Sequence, residues 1–349
     1  MAGALLCAFA VGLYAIGTVA FWISHLPLFH SAAPGVVSDA LLRVSGLPLL
    51  VGITLCAVDL FVLLPKKRAS HKVLYEPLPN QEVTVVLTAY NDELSIGHSV
   101  KDFLAHPKVK RVIVVDNNSR DATSAVAKEA GAIVVRETRP GYGWCVFRSL
   151  CEAGSYEDTH LVLLCEGDMT FRAFDIEKFL AYSAHADVVN GTRIVEQLRE
   201  QRTQLSTFMY YGNFAVGKLL EMKHLGKGTF TDVGTTYKLI RTAALQRILP
   251  TLNPEVNLEF NAHFLDTVLG NSVSMVECPI TFHARVGESK GGNIDNRRAT
   301  KVGLAMIKGI VTGWPINKSP VHPYFDFVAK SAAGLVANDD APVKSASNA

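Results

Sequence analysis

The hydrophobic pattern divides the chain into an N-terminal part with two long apolar runs and a longer part with short ones. Residues 2–23 carry no charged side chain, and residues 46–64 form a second run that contains Pro48 and Asp59. A helix over the first run is about 33 Å long at ~1.5 Å per residue, enough to cross a hydrocarbon core of about 30 Å. We predict two membrane-spanning helices at about 2–23 and 46–64, within an N-terminal region of residues 1–68.

A cleaved signal peptide is the alternative for the first run. Signal peptides have a basic segment before a shorter apolar core, whereas Met1 leads directly into this longer run. We therefore favour a membrane span. Asp59 lies near the end of the second run, where we expect it to reach the membrane interface or the lysines that follow. An acidic residue inside a membrane is also a candidate functional residue.

Basic residues beside the two runs predict their orientation. Residues 24–40 contain no lysine or arginine, whereas four basic residues follow the second run: Lys66, Lys67, Arg68 and Lys72. Because basic residues are enriched on the cytoplasmic side of membrane helices, we expect a helical hairpin whose N-terminus lies in the cytoplasm. Everything after residue 65 is then also cytoplasmic.

Beyond a polar, proline-containing linker at residues 69–81, short β-branched runs alternate with helical stretches. The runs are residues 83–88, 109–115, 133–136 and 160–165. This alternation is typical of a doubly wound, mostly parallel α/β sheet. We predict such a domain over residues 82–314, followed by a loose C-terminal extension over 315–349.

Polar residues directly follow three of the predicted strands. They occupy residues 88–93, 116–121 and 166–168. In parallel sheets ligands bind beyond the carboxyl ends of the strands, so these residues are expected to share one site. The dinucleotide-binding motif G-x-G-x-x-G is absent after the first predicted strand, and the P-loop motif G-x-x-x-x-G-K-[ST] is absent from the whole sequence. Carboxylates can still hold nucleotide phosphates through Mg²⁺ or Mn²⁺.

The amino-acid composition excludes several classes of protein. The 349 residues are 49% hydrophobic and 19% charged, which excludes a disordered, collagen-like or disulfide-dense protein. The six cysteines form no C-x-x-C pair, so we expect free thiols and no metal cluster. With a net charge of +2, no nucleic acid is expected as a partner.

The strand-end motifs resemble those of inverting family 2 glycosyltransferases of GT-A fold. Residues 85–93 resemble the P-x-Y-N-E opening of that family, with Thr88-Ala89 in place of the usual proline-containing turn. Residues 114–121 resemble its second-strand motif. Glu166-Gly167-Asp168 occupies the place of D-x-D, with Glu for the first Asp.

Three later segments are similar, in order and spacing, to those of dolichyl-phosphate mannosyltransferases and other polyprenyl-phosphate glycosyltransferases. They are residues 190–193, 232–238 and 285–290, which resemble G-S-R, D-x-T-S-G-F-R and R-V-x-G-E-S-K. The resemblance covers residues 82–312. It implies inverting, Mg²⁺- or Mn²⁺-dependent transfer of one hexose from a GDP- or UDP-hexose to a polyprenyl (dolichyl-type) phosphate at the cytoplasmic face of a membrane.

The same resemblance implies residue roles. The expected nucleotide-sugar residues are Thr88, Tyr90, Glu93, Asp116, Asn118, Glu166 and Asp168, of which Asp168 and Glu166 are the metal-ligand candidates. Asp116 could instead initiate a turn, because three turn-forming residues follow it. Glu166 could instead be a helix-start acid with a reduced role.

A polyprenyl phosphate is already anionic and attacks without losing a proton, so it needs cations where a hydroxyl acceptor needs a general base. The candidates for binding its phosphate are Arg193, Arg202, Arg285 and Lys290, because guanidinium groups suit phosphate. Asp232, Arg285 and Lys290 are the residues we expect to act in catalysis, with Asp232 orienting acceptor or sugar.

Two apolar helical stretches, residues 205–220 and 302–314, are each expected to lie in the membrane interface or to pack in the core. Transfer to a lipid hydroxyl or a growing glycan is the first alternative function, but the Q-x-x-R-W motif of such enzymes is absent. A non-catalytic scaffold is the second. It is suggested by Glu166 and by Lys238, where the resemblance expects Arg, and it is disfavoured by Asp116, Asp168 and Arg285.

Overall fold

A computed structural model describes residues 1–26, 33–69, 74–201, 203–287 and 296–315. The chain forms two compact units. One comprises Met1–Leu74 with Gly217–Phe230, and the other comprises Tyr75–Val216 with Thr231–Ala349. The predicted site residues Arg202 and Lys290 lie outside the described residues, as do residues 316–349 of the predicted C-terminal extension.

Long apolar helices dominate the first unit. α1 spans Ala2–Ser24, α2 spans Ala33–Val58, a π-helical turn covers Asp59–Leu63, and α3 spans Leu64–Ala69. Segments Ala2–Ser24 and Gly35–Lys66 are long and apolar enough to cross a membrane. The second helical segment begins well before the predicted residue 46. Its first turns contain polar residues whose side chains are satisfied locally, since Asp39 pairs with Arg43 one turn later.

α1 and α2 run antiparallel and in close contact. A Cβ on Gly3 would lie 2.7 Å from the carbonyl oxygen of Gly52, so the two helices meet where neither has a side chain. Farther along, the Ser38 hydroxyl donates to the carbonyl of Gly17. The carboxylate of Asp59 lies 3.5 Å from the α-amino nitrogen of Met1, a partner that the sequence did not indicate.

A seven-stranded mixed sheet forms the centre of the second unit, in the order β3-β2-β1-β4-β6-β5-β7. The strands are β1 Val83–Ala89, β2 Val109–Asp116, β3 Ile133–Arg136, β4 Leu161–Glu166, β5 Val188–Thr192, β6 Lys238–Arg241 and β7 Met275–Pro279. β6 is antiparallel to both of its neighbours, and the other pairings are parallel. The predicted mostly parallel α/β fold is confirmed, with β6 as the exception.

Within the described residues, eight further helices follow the first strand. They are α4 Ile96–Leu104, α5 Thr123–Glu129, α6 Tyr142–Gly154, α7 Ile176–Tyr182, α8 Thr207–Lys223, α9 Thr242–Ile248, α10 Phe260–Gly270 and α11 Asn296–Thr312, with short 3₁₀ turns at Ala173–Asp175, Glu196–Leu198 and Leu249–Thr251. Of these, α4, α5, α6, α7 and α9 pack against the sheet. Every residue of β1 is buried, as expected for a central strand covered on both faces.

The strand order positions the site. The chain passes from β1 to β2 and β3 on one side and then returns to place β4 on the other side of β1. Such a reversal leaves a crevice at the carboxyl ends of β1 and β4. Beneath it, Tyr237 packs against Phe171 and Phe179 in the core and donates its hydroxyl to the carbonyl of Arg172.

Candidate active site

A cavity of about 900 Å³ opens at the carboxyl ends of β1, β2 and β4. Its walls include seven of the predicted site residues: Thr88, Tyr90, Asn118, Glu166, Asp168, Arg193 and Arg285. Glu93, Asp116 and Asp232 are not among its lining residues. The cavity also includes residues that the sequence did not single out for a role, among them Asp92, Arg120, Tyr142, Asn213, Asn257 and Asn261.

The strand ends at the cavity carry an unusual backbone conformation. Asn91, Asn118 and Met169 follow β1, β2 and β4, and their φ angles are 51°, 61° and 68°. Asparagine tolerates this left-handed region, but methionine does so at a cost of about 1–2 kcal/mol. The turn that holds Asp168 is therefore strained, and strain of this kind is concentrated at functional sites.

Arg285 joins two carboxylates at this edge. Its Nη1 lies 2.7 Å from Asp168 Oδ2, and its Nη2 lies 2.7 Å from Asp92 Oδ1. Asp168 Oδ1 accepts from the amide and the hydroxyl of Thr170 at 3.0 and 2.5 Å. Asp92, which the sequence contained only as part of a motif, is thus a member of the site.

Glu166 lies beside this group in a polar but poorly solvated position. The Thr236 hydroxyl donates to its Oε1 at 2.7 Å. Burial raises the pKa of Glu166 to about 7, and the negative charge of Asp168 adds to the shift. Thr236 also lies 2.5 Å from the Tyr142 hydroxyl, which accepts from the Asn261 amide at 3.1 Å. A hydrogen-bonded wall therefore continues from Glu166 into α6 and α10.

Arg193 and Asp232 form a buried, two-bond ion pair. Arg193 Nε and Nη2 lie 2.7 and 2.8 Å from the two carboxylate oxygens, and Asp232 also accepts the backbone amides of Arg193 and Gly234. Burial raises the pKa of Asp232, but the Arg193 guanidinium more than offsets this and holds it below its usual value. Asp232 thus fixes a predicted acceptor-binding cation.

Two further ionisable groups lie near this pair, Lys238 fully buried and Glu277 half-buried. The Lys238 Nζ donates to the Thr235 carbonyl and to Asn261 Oδ1. Burial lowers the pKa of Lys238 to about 7. Glu277 accepts from the amide and hydroxyl of Thr231, and burial raises its pKa to about 7.

Asp116 binds the turn that follows it and the first turn of α5, whereas Glu93 binds the neighbouring loop after β2. Asp116 accepts from the Ser119 amide at 2.9 Å and from the Ser124 hydroxyl at 2.5 Å, which is the turn-forming arrangement that the sequence offered as an alternative. Glu93 accepts from the Ala122 amide. Both residues therefore shape the loop beneath the predicted nucleotide position, and their contact with a nucleotide stays a prediction.

The loop after β3 closes the same side of the cavity. Asn117 donates to the carbonyls of Glu137 and Arg139 and accepts from the amide of Gly141. The Arg139 guanidinium pairs with Glu137 and lies 3.8 Å from the centre of the Trp144 ring. This loop is therefore held in place by side chains from β2 and α6.

The donor set at β4 fits a divalent cation. Within the described ranges, no group of three or more His, Cys, Asp and Glu side chains is arranged to hold a metal ion. Mg²⁺ and Mn²⁺, however, need only one or two protein carboxylates when phosphate oxygens complete the coordination. Glu166 and Asp168, which both line the cavity at the end of β4, supply two.

A mostly parallel α/β sheet with carboxylates at its switch point is the GT-A arrangement of glycosyltransferases. Residues 84–249 match the family described as Glycosyl transferase family 2. The matched residues include the carboxyl ends of β1, β2 and β4, where the cavity opens. The predicted GT-A-like α/β fold is confirmed, and the family match supports the predicted glycosyltransferase class.

Known relatives extend the comparison. An uncharacterized glycosyltransferase of Mycobacterium tuberculosis is 40% identical over 112 residues, which is 32% of this chain and 48% of the relative, so the chain spans about half its length. A dolichyl-phosphate hexose transferase of Haloferax volcanii is 27% identical over 210 residues, 60% of this chain and 86% of the relative. A solved structure, glucosyl-3-phosphoglycerate synthase of M. tuberculosis with Mn²⁺, UDP-glucose and glycerol 3-phosphate, has a TM-score of 0.46 at 18% identity over 69% of this chain and 83% of that one.

Proposed function

We propose that this protein transfers one hexose from a nucleotide-diphosphate sugar to a polyprenyl (dolichyl-type) phosphate, with inversion, at the cytoplasmic face of a membrane. One observation carries the proposal, namely the two-sided lining of the cavity. Its sheet edge is polar and charged. Its opposite wall, from α8 and α11, presents Phe208, Met209, Val216, Val302 and Ile307. A lipid phosphate likewise combines a charged head group with an apolar chain.

The donor occupies the strand-end side. Thr88, Tyr90 and Asn118 lie at the ends of β1 and β2, where a nucleoside has room, and Asp168 and Glu166 lie at the end of β4. These two carboxylates would hold Mg²⁺ or Mn²⁺, and the cation, when bound, neutralises charge on the departing nucleoside diphosphate. Arg285 contributes a second positive charge beside the same carboxylates.

The acceptor occupies the Arg193 side. Asp232 uses two of the five N–H donors of the guanidinium and leaves the remainder for a phosphate oxygen. The acceptor phosphate then needs no general base, and its chain follows the apolar wall. Arg202 and Lys290 are predicted to add to this binding. A relative named as a dolichyl-phosphate hexose transferase supports the choice of acceptor.

Two features support a membrane location. The apolar helices Ala2–Ser24 and Gly35–Lys66 have the length of membrane spans. The basic residues from Lys66 onward favour a cytoplasmic position for the rest of the chain. In the catalytic unit, Phe208 and Tyr211 on α8 are 50% and 64% exposed, and such side chains suit a lipid–water interface.

A hydroxyl acceptor, on a lipid or a growing glycan, is the second candidate function. The observation that favours it is Glu166, because a carboxylate with a pKa of about 7 meets the requirement for a general base. The two candidates differ in their products. A sugar on a phosphate is released by mild acid, whereas a sugar on a hydroxyl is retained.

The test uses purified protein in phospholipid vesicles with radiolabelled GDP- and UDP-hexoses and with Mg²⁺, Mn²⁺ or a chelator. Vesicles contain a polyprenyl phosphate, the matching polyprenol, or neither. We expect acid-labile labelled lipid only with the phosphate and a metal ion, and its loss in Asp168→Ala. Asp158→Ala, which alters an exposed carboxylate paired with Arg111, is the control. Absence of labelled lipid with every donor, or label on the polyprenol alone, would overturn the proposal.

A further inference from the structure

Helix α8 places one hydrogen-bonding side chain on the apolar wall of the cavity. The residues of α8 that line the cavity are Phe208, Met209, Gly212, Asn213, Ala215 and Val216. Of these, only Asn213 carries an amide. Asparagine is less favourable than alanine inside a helix, so the residue contributes nothing to helix formation that alanine would not.

The Asn213 amide lies beside Arg193. A Cβ placed on Gly234 would be 2.8 Å from Asn213 Oδ1, 3.2 Å from Asn213 Nδ2 and 3.0 Å from Arg193 Nη2. Both side chains therefore border the same glycine and reach it from different elements. Within the part of the chain that the structure describes, no hydrogen bond occupies the Asn213 amide.

Arg193 is held firmly at this point, whereas Asn213 is available. The Arg193 guanidinium is fixed by two hydrogen bonds to Asp232, and Arg193 and Asp232 are both buried. Polar residues of the sheet edge lie on one side of the pair, and the apolar residues of α8 and α11 lie on the other. The pair marks the place where the cavity changes from polar to apolar.

We propose that Asn213 binds the phosphate of the acceptor lipid together with Arg193. Its Nδ2–H donates to a non-bridging phosphate oxygen, and the apolar chain continues along α8 and α11. The inference rests on the proposed function and adds a binding residue to it. The donor also contains phosphate, but the donor diphosphate is assigned to the Asp168 end of the cavity, so Asn213 is assigned to the acceptor.

The test measures initial rates against acceptor and against donor separately, in the same vesicles. The variants are Asn213→Ala, which removes the donor N–H, and Asn213→Asp, which replaces it with an acceptor-only anion of the same shape. We expect the acceptor KM to rise about tenfold in Asn213→Ala and by about a hundredfold in Asn213→Asp. The donor KM should stay within about twofold of the wild type, because the donor phosphates lie elsewhere.

Two further variants make the result specific. Gly234→Ala adds a methyl group against both the amide and the guanidinium, and should also raise the acceptor KM. Gln246→Glu, on the exposed face of α9, adds the same negative charge away from the cavity and should change neither KM. Thermal unfolding of Asn213→Ala should match or exceed that of the wild type, which separates binding from folding.

The outcomes distinguish this inference from the proposed function. If wild-type protein forms the acid-labile lipid while both Asn213 variants keep the wild-type acceptor KM, the inference is wrong and the proposed function stands. A rise in donor KM alone also overturns it, because the amide would then serve the donor. If the wild-type protein forms no labelled lipid, the proposed function fails, and the acceptor role of Asn213 fails with it.

Discussion

Arg193 and Arg285 both line the cavity, but their carboxylate partners hold them in different ways. Arg193 gives two nitrogens to one carboxylate, Asp232, which is itself bound by two backbone amides. Arg285 divides its two terminal nitrogens between Asp168 and Asp92, and its buried Nε has no partner among the described residues. A two-bond pair is fixed in geometry, whereas a divided one can exchange a partner for a ligand.

The difference suggests separate tasks. The Arg193–Asp232 pair is a fixed part of the fold, and its Arg193 side lines the cavity. The Arg285 bridge places one positive charge between two carboxylates, one of which, Asp168, is a predicted metal ligand. A cation at Asp168 would release one arm of Arg285 for phosphate. The following predictions test whether the first pair acts mainly on stability and the second mainly on activity.

Asp232→Ala should have the largest effect on stability. It leaves the Arg193 guanidinium buried without its counter-charge, which costs about 3–5 kcal/mol when one partner of a buried pair is removed. Thermal unfolding in vesicles or detergent should show the loss as a lower Tm. Asp158→Ala, which breaks an exposed pair, is the control and should change Tm far less. Equal losses in the two variants would contradict a structural role for Asp232.

Arg285→Gln should act mainly on activity. Removal of one positively charged group that faces developing negative charge typically lowers kcat about 100- to 1,000-fold. The variant removes the guanidinium charge beside Asp168, so added Mn²⁺ should raise its Tm more than it raises that of the wild type. Rates and unfolding are measured with and without metal. If the variant keeps full activity, or if Mn²⁺ does not change its Tm, the proposed difference between Arg193 and Arg285 is wrong.

Lys238 should make the free energy of unfolding depend on pH. Its pKa is lowered from 10.5 to about 7, so between these values the unfolded chain binds more protons at this group than the folded chain. Stability therefore rises with pH through this window, by at most about 1.4 kcal/mol per pH unit from this lysine. Lys238→Met should lose that rise, whereas Lys128→Met on exposed α5 should keep it. Midpoints of urea unfolding between pH 7 and 10 measure the slope.

Met169→Gly should have the smallest effect on the free energy of unfolding. Glycine adopts the positive φ of this turn freely, so the variant should be stabilised by about 1 kcal/mol. The turn that orients Asp168 becomes looser, and we expect kcat to fall several-fold. Ser272→Gly relieves a comparable φ of 55° in a turn that does not line the cavity, and should gain stability with unchanged kcat. Unchanged kcat in Met169→Gly would show that the strain does not serve the site.

The sequence identified the parts of the site that depend on local pattern. β1, β2 and β4 are β-branched or leucine-rich runs with polar residues directly after them, so their ends and Asp168 could be found without a structure. The alternation of strands and helices predicted the mostly parallel α/β sheet, and the resemblance to family 2 glycosyltransferases supplied the GT-A fold. The roles of these residues, including those of Arg202 and Lys290, stay predictions.

Features formed by distant segments could not be found in this way. The antiparallel strand β6 follows a loop whose direction only the packing decides, and Asp232 meets Arg193 across 39 positions of sequence. The contacts of Asp116 with Ser119 in the following turn and with Ser124 in α5 were likewise visible only in the structure. The spacing of Asn257 and Asn261, four residues apart near the start of α10, was the one local signal for that wall of the cavity.

The stacking of Arg139 on Trp144 has a practical consequence. Indole emission responds to a neighbouring cation, and Arg139 belongs to the loop that closes the donor side of the cavity. The chain has three tryptophans, and replacing Trp22 and Trp314 with phenylalanine would leave Trp144 as the sole emitter. Such a variant would report nucleotide-sugar binding by fluorescence titration, without turnover and without any lipid present.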